Sequence, residues 1–551
     1  MKILRQFFEI SAWFWLDKKA LKTWIILALM IFASLGVTKI AVLMNEWEKR
    51  FYDALSAFNK SLILPLIGEF LLYTLFIVVF IVCGSYLKKF LIISWRESLS
   101  SKLEDLWLKN SNFYKVTLID ANFDNPDQRI AEDSLLFVQS SVNLVKSFVY
   151  NIANLVAFVF ILWQASKILK VDFGEMHFEI SGFLVYIAII YTFICSLTTH
   201  LIGKKLKPLN FDKQHLEANY RANLLILREN AEAAAFLDGA KREKGRFRES
   251  FLKIVKNYKD IINTEFRLEC FSASYLKVTN LIPIFASLPL YLAGTMSFGD
   301  MMQARTAFYK VQDGLAWFMD YYKQIMEFAA SVERIYTFVS ALNSTKESNV
   351  FGKNDDAITC KNLTIKTPND EVLFKNLSFS LSPGRWLVLN AKSGAGKSTA
   401  FRYLANLWQY GDGEIKMPKD GVMFVPQKNY LTKSSLKELI SYPNENALAN
   451  SEIYKILDRV GLGKFKNLDE VLDYAKIMSG GEKERLNFAR VYLLKPKFLF
   501  LDEATSALDI ASATEILTNL RSYFKELSVM MITHQSELFD LFDEVIKIKS
   551  E

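Results

Sequence analysis

The sequence predicts two halves of different class: an all-α domain that crosses a membrane about six times, then a soluble α/β domain built to hold a phosphate-bearing ligand. Three observations carry this. Long apolar runs crowd into the residues before about 335 and thin out beyond it. Two polar stretches, 87–141 and 201–274, part those runs by more than simple loops require. A segment reading AKSGAGKST follows the apolar strand candidate WLVLN. A chain of 551 residues has room for several average domains, and 51% apolar residues exclude a disordered or fibrous one. The uneven placement of those residues also excludes a simple cytosolic enzyme.

Charge and cysteine usage narrow the class further. Lys and Arg number 67 against 59 Asp and Glu, a net charge of +8. Lysines at the ends of apolar runs account for the excess, so no nucleic-acid partner is expected. Cys83, Cys195, Cys270 and Cys360 are far apart and form no CxxC pair, disulfide framework or metal cluster. His177, His200 and His215 have no companion ligands in the sequence.

The elements follow in order. Residues 1–19, MKILRQFFEISAWFWLDKK, are aromatic and amphipathic and lack a small-residue cleavage site, so they read as a helix lying at the membrane interface. Runs near 20–44, 62–86, 142–163, 180–200 and 275–296 each supply the roughly 20 apolar residues a span needs. A sixth, 303–322, is weaker because it holds Arg305, Lys310, Asp313 and Asp320. Its polar face is read as lining an aqueous path, with Asp313 and Asp320 as candidates for contact with cargo. Glu69 in the second run is a third candidate, an inter-helix hydrogen bond being the alternative. Lys88 and Lys89 open one long polar stretch and Lys204, Lys205 and Lys207 the other, which places both stretches and the N-terminus in the cytoplasm. Helical periodicity in LEANYRANLLILRENAEAAAFL predicts that the spans continue as long helices beyond the bilayer.

A polar linker, 341–356, leads into the second domain, 357–551. AKSGAGKST spans Ala391, Lys392, Ser393, Gly394, Ala395, Gly396, Lys397, Ser398 and Thr399. Small residues there let backbone N–H groups wrap phosphates at a helix N-terminus, while Lys397 brings positive charge and Ser398 a hydroxyl for magnesium. Ala391 stands where the strict pattern has glycine. The strand candidate PKFLFLDE then delivers Asp502 toward the metal and Glu503 toward the attacking water.

Further motifs make the resemblance specific. VPQKNY contains Gln427; MSGGE contains Ser479, Gly480, Gly481 and Glu482; Ser506, Ala507, Leu508 and Asp509 follow the second acidic pair; MMITHQ contains His534. In this order they resemble the Q-loop, signature, D-loop and switch histidine of ATP-binding cassette transporters. The resemblance implies a six-span, exporter-like all-α domain followed by an α/β P-loop NTPase cassette. It implies ATP and Mg2+ as cofactors, the metal held through Ser398, Gln427 and Asp502, with Glu503, His534 and Lys397 catalytic. The family's signature acts in trans, and one chain carries one P-loop and one signature. A homodimer is therefore expected, a heterodimer with a paralogue being the alternative. Thr367 occupies the position where many cassettes place an adenine-stacking aromatic.

NPDQRIAEDS (125–134) and the stretch from Gly203 to Gly239 resemble a group that includes peroxisomal fatty-acyl transporters and bacterial peptide-uptake proteins of the SbmA/BacA type. The fused cassette resembles YddA-like proteins and the mycobacterial importer of hydrophilic solutes and cobalamin. This implies coupling or structural roles for Asp127, Gln128, Arg129, Asn230 and Glu232, solvated helix surface being the alternative. The function expected is ATP-driven, alternating-access transport of a solute across the bacterial inner membrane, with uptake of peptides or cobalamin as the first reading. Export, and a lipid or fatty acyl-CoA cargo, are the alternatives, with a membrane-bound regulatory ATPase as a reading of another class.

Overall fold

In the hydrocarbon of a bilayer only internally hydrogen-bonded backbone is stable, so apolar runs of this length fold as helices. The structure, a computed structural model, describes residues 2–17, 20–119, 125–173, 176–345, 351–353, 356–392, 394–444 and 449–548. It divides into two compact units, Met1–Leu103 with Asp127–Thr337, and Glu104–Pro126 with Phe338–Glu551.

The first unit is helical. It comprises α1 (Lys2–Trp15), α2 (Leu21–Ser56) and most of α3 (Lys60–Leu108), while α4 (Asn112–Ile119) belongs to the other unit. It continues with α5 (Ser134–Ala165), α6 (Phe183–Gly203), α7 (Leu206–Glu229), α8 (Ala231–Phe236), α9 (Ala240–Leu292), α10 (Phe298–Asp320) and most of α11 (Tyr322–Ser344). At 1.5 Å rise per residue, α3 and α9 are each about 75 Å long, far more than a hydrocarbon core of about 30 Å. Both helices are therefore longer than a single span requires. Five helical stretches are long and apolar enough to cross a membrane, beginning at Leu21, Lys60, Pro126, Phe183 and Ala240. The charged α10 is not one of them by composition, yet it lies at the centre of the packing. Met301, Ala304, Ala307, Phe308 and Val311 are buried with Phe158 and Leu162 of α5, Leu184 and Ala188 of α6, and Leu290 of α9.

Two contacts fix where α10 enters. Ser297 and Asp300 form a reciprocal capping box, and Asp300 also pairs with Lys49 (2.7 Å) and Lys167 (3.1 Å). Gly299 donates its N–H to Asp53 at 2.8 Å, and a Cβ there would stand 2.2 Å from the Lys49 carbonyl oxygen. Aromatic contacts define α1: Phe7 meets Phe137 and Phe328 at 5.5 and 5.3 Å, and Phe14 stacks on Trp95 at 5.6 Å. Its aromatic residues therefore pack on α3, α5 and α11. Between α5 and α6 the chain forms a hairpin of β1 (Ile168–Phe173) and β2 (Met176–Ser181), in the gap between the third and fourth apolar runs and over the first residues of the fourth.

The second unit is the α/β cassette. A mixed sheet holds β3 (Ile358–Lys366) and β4 (Val372–Leu381), with β6 (Gly411–Met417) antiparallel to β3. A five-stranded parallel sheet runs β10 (Glu544–Lys547), β5 (Trp386–Asn390), β9 (Ser528–Ile532), β8 (Phe498–Asp502), β7 (Val422–Val425). Strands β8 and β9 are buried throughout, as parallel strands covered on both faces must be. Alternate residues feed two cores, Leu499, Leu501, Val529 and Met531 on one face, Phe498, Phe500, Met530 and Ile532 on the other. Leu118 of α4 packs against the second core. Buried Asn112 ties this segment to the end of α11, donating to the carbonyls of Leu106 (2.9 Å) and Leu342 (3.3 Å) and accepting from Thr345 (2.6 Å). Residues 104–126 thus belong to the cassette although they lie in sequence between the second and third spans. The predicted linker, 341–356, is not a free tether at either end: α11 runs to Ser344, and Phe351–Lys353 pairs with β6.

One buried charge governs the start of the third span. Asp133 accepts from Arg129 at 2.7 Å and from two nitrogens of Arg334 at 2.9 and 2.6 Å. Asp133→Ala strands two guanidinium groups. The expected loss is about 2 kcal/mol, below the value for a fully buried pair because Arg334 is partly in water. A fall in the thermal unfolding midpoint of the detergent-purified protein checks this, and an unchanged midpoint would count against it.

Candidate functional site

Three adjacent strands of the parallel sheet end at one edge, and each delivers part of the site. After β5 the chain turns through residues 391–396 into α12 (Lys397–Leu404). Gly394 and Gly396 have φ of +81° and +84°, a region closed to most side chains, and backbone N–H groups here can turn toward an anion at a helix N-terminus. Ala391 is not among the positive-φ residues, which is why alanine serves where glycine is usual. Lys397 is buried and its ammonium donates to the Ala391 carbonyl at 2.7 Å, which bridges the loop. Lys392 and Gly394 are exposed, Ala395 and Thr399 are buried, and Ser393 lies outside the described residues.

From β8 come Asp502 and Glu503. The Ser398 hydroxyl donates to Asp502 at 2.9 Å. Burial pushes the Asp502 carboxyl above the usual aspartate range, the hydroxyl opposing it. A hard cation beside this hydroxyl and carboxylate would relieve that burial, so the pair fits magnesium. Glu503 takes a φ of +51°, a strained conformation for glutamate, and its N–H is held by the Ile532 carbonyl at 2.9 Å. Its carboxylate accepts from Gln427 at 2.8 Å and lies 3.3 Å from His534, which follows β9. His534 Nε2 in turn stands 3.5 Å from Lys397 Nζ. Lys397, Ser398, Gln427, Asp502, Glu503 and His534 are therefore brought together. Gln427 differs from its expected role in one respect: here its amide donates to Glu503.

The signature lies elsewhere. Ser479 and Glu482 form a capping box on α13 (Gly480–Leu494), with bonds of 2.8 and 3.3 Å, and Glu482 pairs with Lys464. Among the described residues no hydrogen bond of Ser479 reaches the phosphate loop. Gly480 and Gly481 instead meet the D-loop: a Cβ would come within 3.1 Å of Ala507 and 3.2 Å of Leu508. Asp509 caps α14 (Ile510–Tyr523) by accepting from the Ser512 N–H at 2.9 Å.

Sequence reading missed the residues that hold these loops in place. Glu484 accepts from Ser506 (3.0 Å) and from the Ala507 N–H (2.9 Å), fastening the D-loop to the signature helix. Burial raises its pKa, which these bonds oppose. Arg490, also buried, donates to the carbonyls of Leu439 (2.8 Å) and Tyr430 (3.0 Å), and Asn487 bonds Asn429 beside Gln427. Gln535 accepts from Thr505 at 3.1 Å. In EKERLNFAR such charges look like any solvated helix face, and no spacing sets them apart. Thr367 sits in the hairpin turn between β3 and β4.

Comparison with known proteins agrees with this geometry. Residues 15–289 match the family described as ABC transporter transmembrane region 2, and residues 374–506 match the family described as ABC transporter. The chain is 32% identical to the inner membrane ABC transporter ATP-binding protein YddA of Escherichia coli, over 98% of this chain and 96% of that one.

The chain belongs to the ABC transporter family. As an ABC transporter it is an ATP-binding and ATP-hydrolysing translocase, and a multi-pass protein of the inner membrane. It is 24% identical to the ABC transporter D family member 2 of Arabidopsis thaliana, over 99% of this chain and 86% of that one. A bacterial Atm1-family ABC exporter with ATP bound has the same fold, with a TM-score of 0.75, 18% identity and coverage of 97% and 94%. One membrane half and one cassette per chain is an architecture consistent with a dimer, and the cassette implies ATP with magnesium.

These matches correct two expectations. The membrane half has the exporter-type fold and D-family relatives, not the membrane domain of SbmA/BacA-type uptake proteins. The reading of peptide or cobalamin uptake falls with it. Much of the longer misleading stretch is surface: α7 has no buried residue, so its charged, helix-forming composition says little about the core.

Because Asp502 titrates above the ordinary range, protons compete with magnesium there at higher pH than at a free carboxylate. The magnesium concentration that half-saturates ATPase activity is expected to rise as pH falls from about 7 to about 5. A half-saturation constant independent of pH would refute this.

Proposed function

We propose that two copies of this chain form an ATP-driven exporter that works by alternating access across six spans per copy. What supports export is the exporter-type fold that runs over nearly the whole chain. ATP is held by residues 391–399, and magnesium by Ser398 and Asp502, with Gln427 as a third ligand once it leaves Glu503. Glu503 polarises the attacking water and His534 senses the γ-phosphate. Ser479, Gly480 and Gly481 close over the phosphate held by the partner copy. They suit that task because they cap α13, whose N-terminal N–H groups and dipole favour an anion. The D-loop, held by Glu484, lies beside them.

The weak sixth span is α10, whose Asp313 and Asp320 are exposed and seven residues apart, hence on one face. They remain candidates for lining the path. Glu69 is less suited, since Arg50 (2.5 Å) and Tyr73 (2.6 Å) already hold its carboxylate. Coupling runs through the segment 104–126 and through the tip at 230–239. Asp127 and Gln128 open the short helix that precedes Asp133, where Gln128 donates to Glu132 at 3.0 Å. Asn230 ends α7 and Glu232 opens α8, both exposed. Phe236 and Leu237 beside them are 83% and 82% exposed, an apolar tip suited to docking on a cassette of the partner copy.

Two experiments test the proposal. In inverted membrane vesicles the wild type should accumulate labelled cargo with ATP, and Glu503→Gln should abolish this by slowing hydrolysis at least about 100-fold. Accumulation in right-side-out vesicles would overturn the direction. Phe236→Asp combined with Leu237→Asp should cut transport about tenfold, the effect of losing a contact worth about 1.4 kcal/mol, while ATP binding persists. Unchanged transport would remove the docking role.

A further inference from the structure

His534 follows a buried strand, yet its side chain is 52% exposed, so packing alone does not fix where its ring stands. Glu503, 3.3 Å from it, leaves the neighbouring strand at a φ of +51°. The ladder between β8 and β9 ends at Asp502 and Ile532, one residue or two before these side chains. Beyond that point a glutamine ties the two segments together. Gln535, next to His534, accepts at 3.1 Å from the hydroxyl of Thr505, two residues after Glu503. Its side-chain amide donates at 3.4 Å to the Leu508 carbonyl in the D-loop. Its backbone N–H donates to Thr533 Oγ1 at 3.1 Å, which closes a turn around His534.

The chemistry of this place calls for an amide. The Leu508 carbonyl can only accept, so it needs a donor, and the other end of the amide then takes the Thr505 proton. Thr505 and Thr533 are buried, which makes these bonds costly to leave unmade. The tie also continues toward the signature. A Cβ on Gly481 would come within 3.2 Å of the Leu508 side chain, and one on Gly480 within 3.1 Å of Ala507. The start of α13 therefore packs on the loop that Gln535 holds. Gly481, Leu508, Gln535, His534 and Glu503 form one contiguous set of contacts across the cassette.

We infer that Gln535 is a positioning residue for ATP hydrolysis: it sets His534 against Glu503 and makes that setting depend on where the signature stands. It acts through those two residues and not on the nucleotide. When Ser479, Gly480 and Gly481 close over a phosphate, the loop packed against them shifts, and Gln535 carries the shift to His534. Hydrolysis at a chain's own phosphate loop then waits on its signature being engaged at the partner's. This link between sites rests on the two-copy reading above. The positioning of His534 and Glu503 does not, and the two are measured separately.

The full-length protein is purified in detergent, and its ATPase rate is measured against ATP concentration at saturating magnesium. Gln535→Ala should lower kcat about tenfold and change the half-saturating ATP concentration less than about twofold, as loss of a contact that matters in the transition state predicts. Binding of radiolabelled ATP should stay as in the wild type. Thr505→Val should lower kcat by a smaller factor, and Thr505→Ser, which keeps the hydroxyl, should restore it. The double variant Thr505→Val, Gln535→Ala should be no slower than Gln535→Ala, because both changes remove one shared bond. Gln535→Glu sets a carboxylate against the Leu508 carbonyl and should be as slow as Gln535→Ala. Unchanged kcat in Gln535→Ala, multiplied losses in the double variant, or ATP binding lost in step with rate in both Gln535→Ala and Thr505→Val would each overturn the positioning role. The Hill coefficient for ATP tests the link between sites: it should exceed one in the wild type and fall to about one in Gln535→Ala. Equal cooperativity in the two would overturn the link and keep the two-copy reading. A Hill coefficient of one in the wild type would also overturn the link, and the particle mass, one chain or two, then decides whether the two-copy reading falls with it.

Discussion

The absence of water from the bilayer core is the constraint from which the rest of this structure follows. Every backbone N–H there must find its acceptor within its own segment, so the first half of the chain is helical. The same lack of solvent makes charge expensive, and several charges of this half are paired: Glu69 with Arg50, Asp300 with Lys49 and Lys167, Asp133 with Arg129 and Arg334.

The cassette solves a different problem, the gathering of several polar side chains from distant segments at one edge of a sheet. A parallel sheet does so economically because all its strands end on the same side. β5, β8 and β9 deliver the phosphate loop, the acidic pair and the histidine to one edge, and packing of both sheet faces keeps those ends in register. The loops between are held by buried polar side chains. Glu484 grips the D-loop and Arg490 the segment after Gln427, each from the signature helix. A shift of α13 would therefore reach both loops. The strained Glu503 fits this scheme, since a residue at positive φ persists only where its surroundings hold it.

Much of this was legible beforehand. The five long apolar helices, their length in excess of one span and the polar sixth helix follow from run length and periodicity. Six residues that the fold gathers at one sheet edge were named from motifs, because phosphate chemistry tolerates few alternatives at each position. The β-hairpin of 168–181 was missed because its strands are short and lie between two much stronger helical signals. The assignment of residues 104–126 to the cassette was missed because Asn112 and Leu118 act through partners more than 200 residues away in sequence. The uptake reading leaned in large part on the exposed helix α7, where composition is loosely constrained.

By itself, then, the sequence determined that this chain crosses a membrane and carries an ATP-binding cassette, and it named six side chains that the fold brings together. Those properties depend on local chemistry: apolar length for a span, small residues and one lysine for a phosphate loop. Only the tertiary structure decided which charges pair, that 104–126 belongs with the cassette, and that Glu484 and Arg490 hold the loops beside the acidic pair. These depend on distances between residues far apart in the chain, and helical or strand periodicity records which face a residue occupies but not what that face meets.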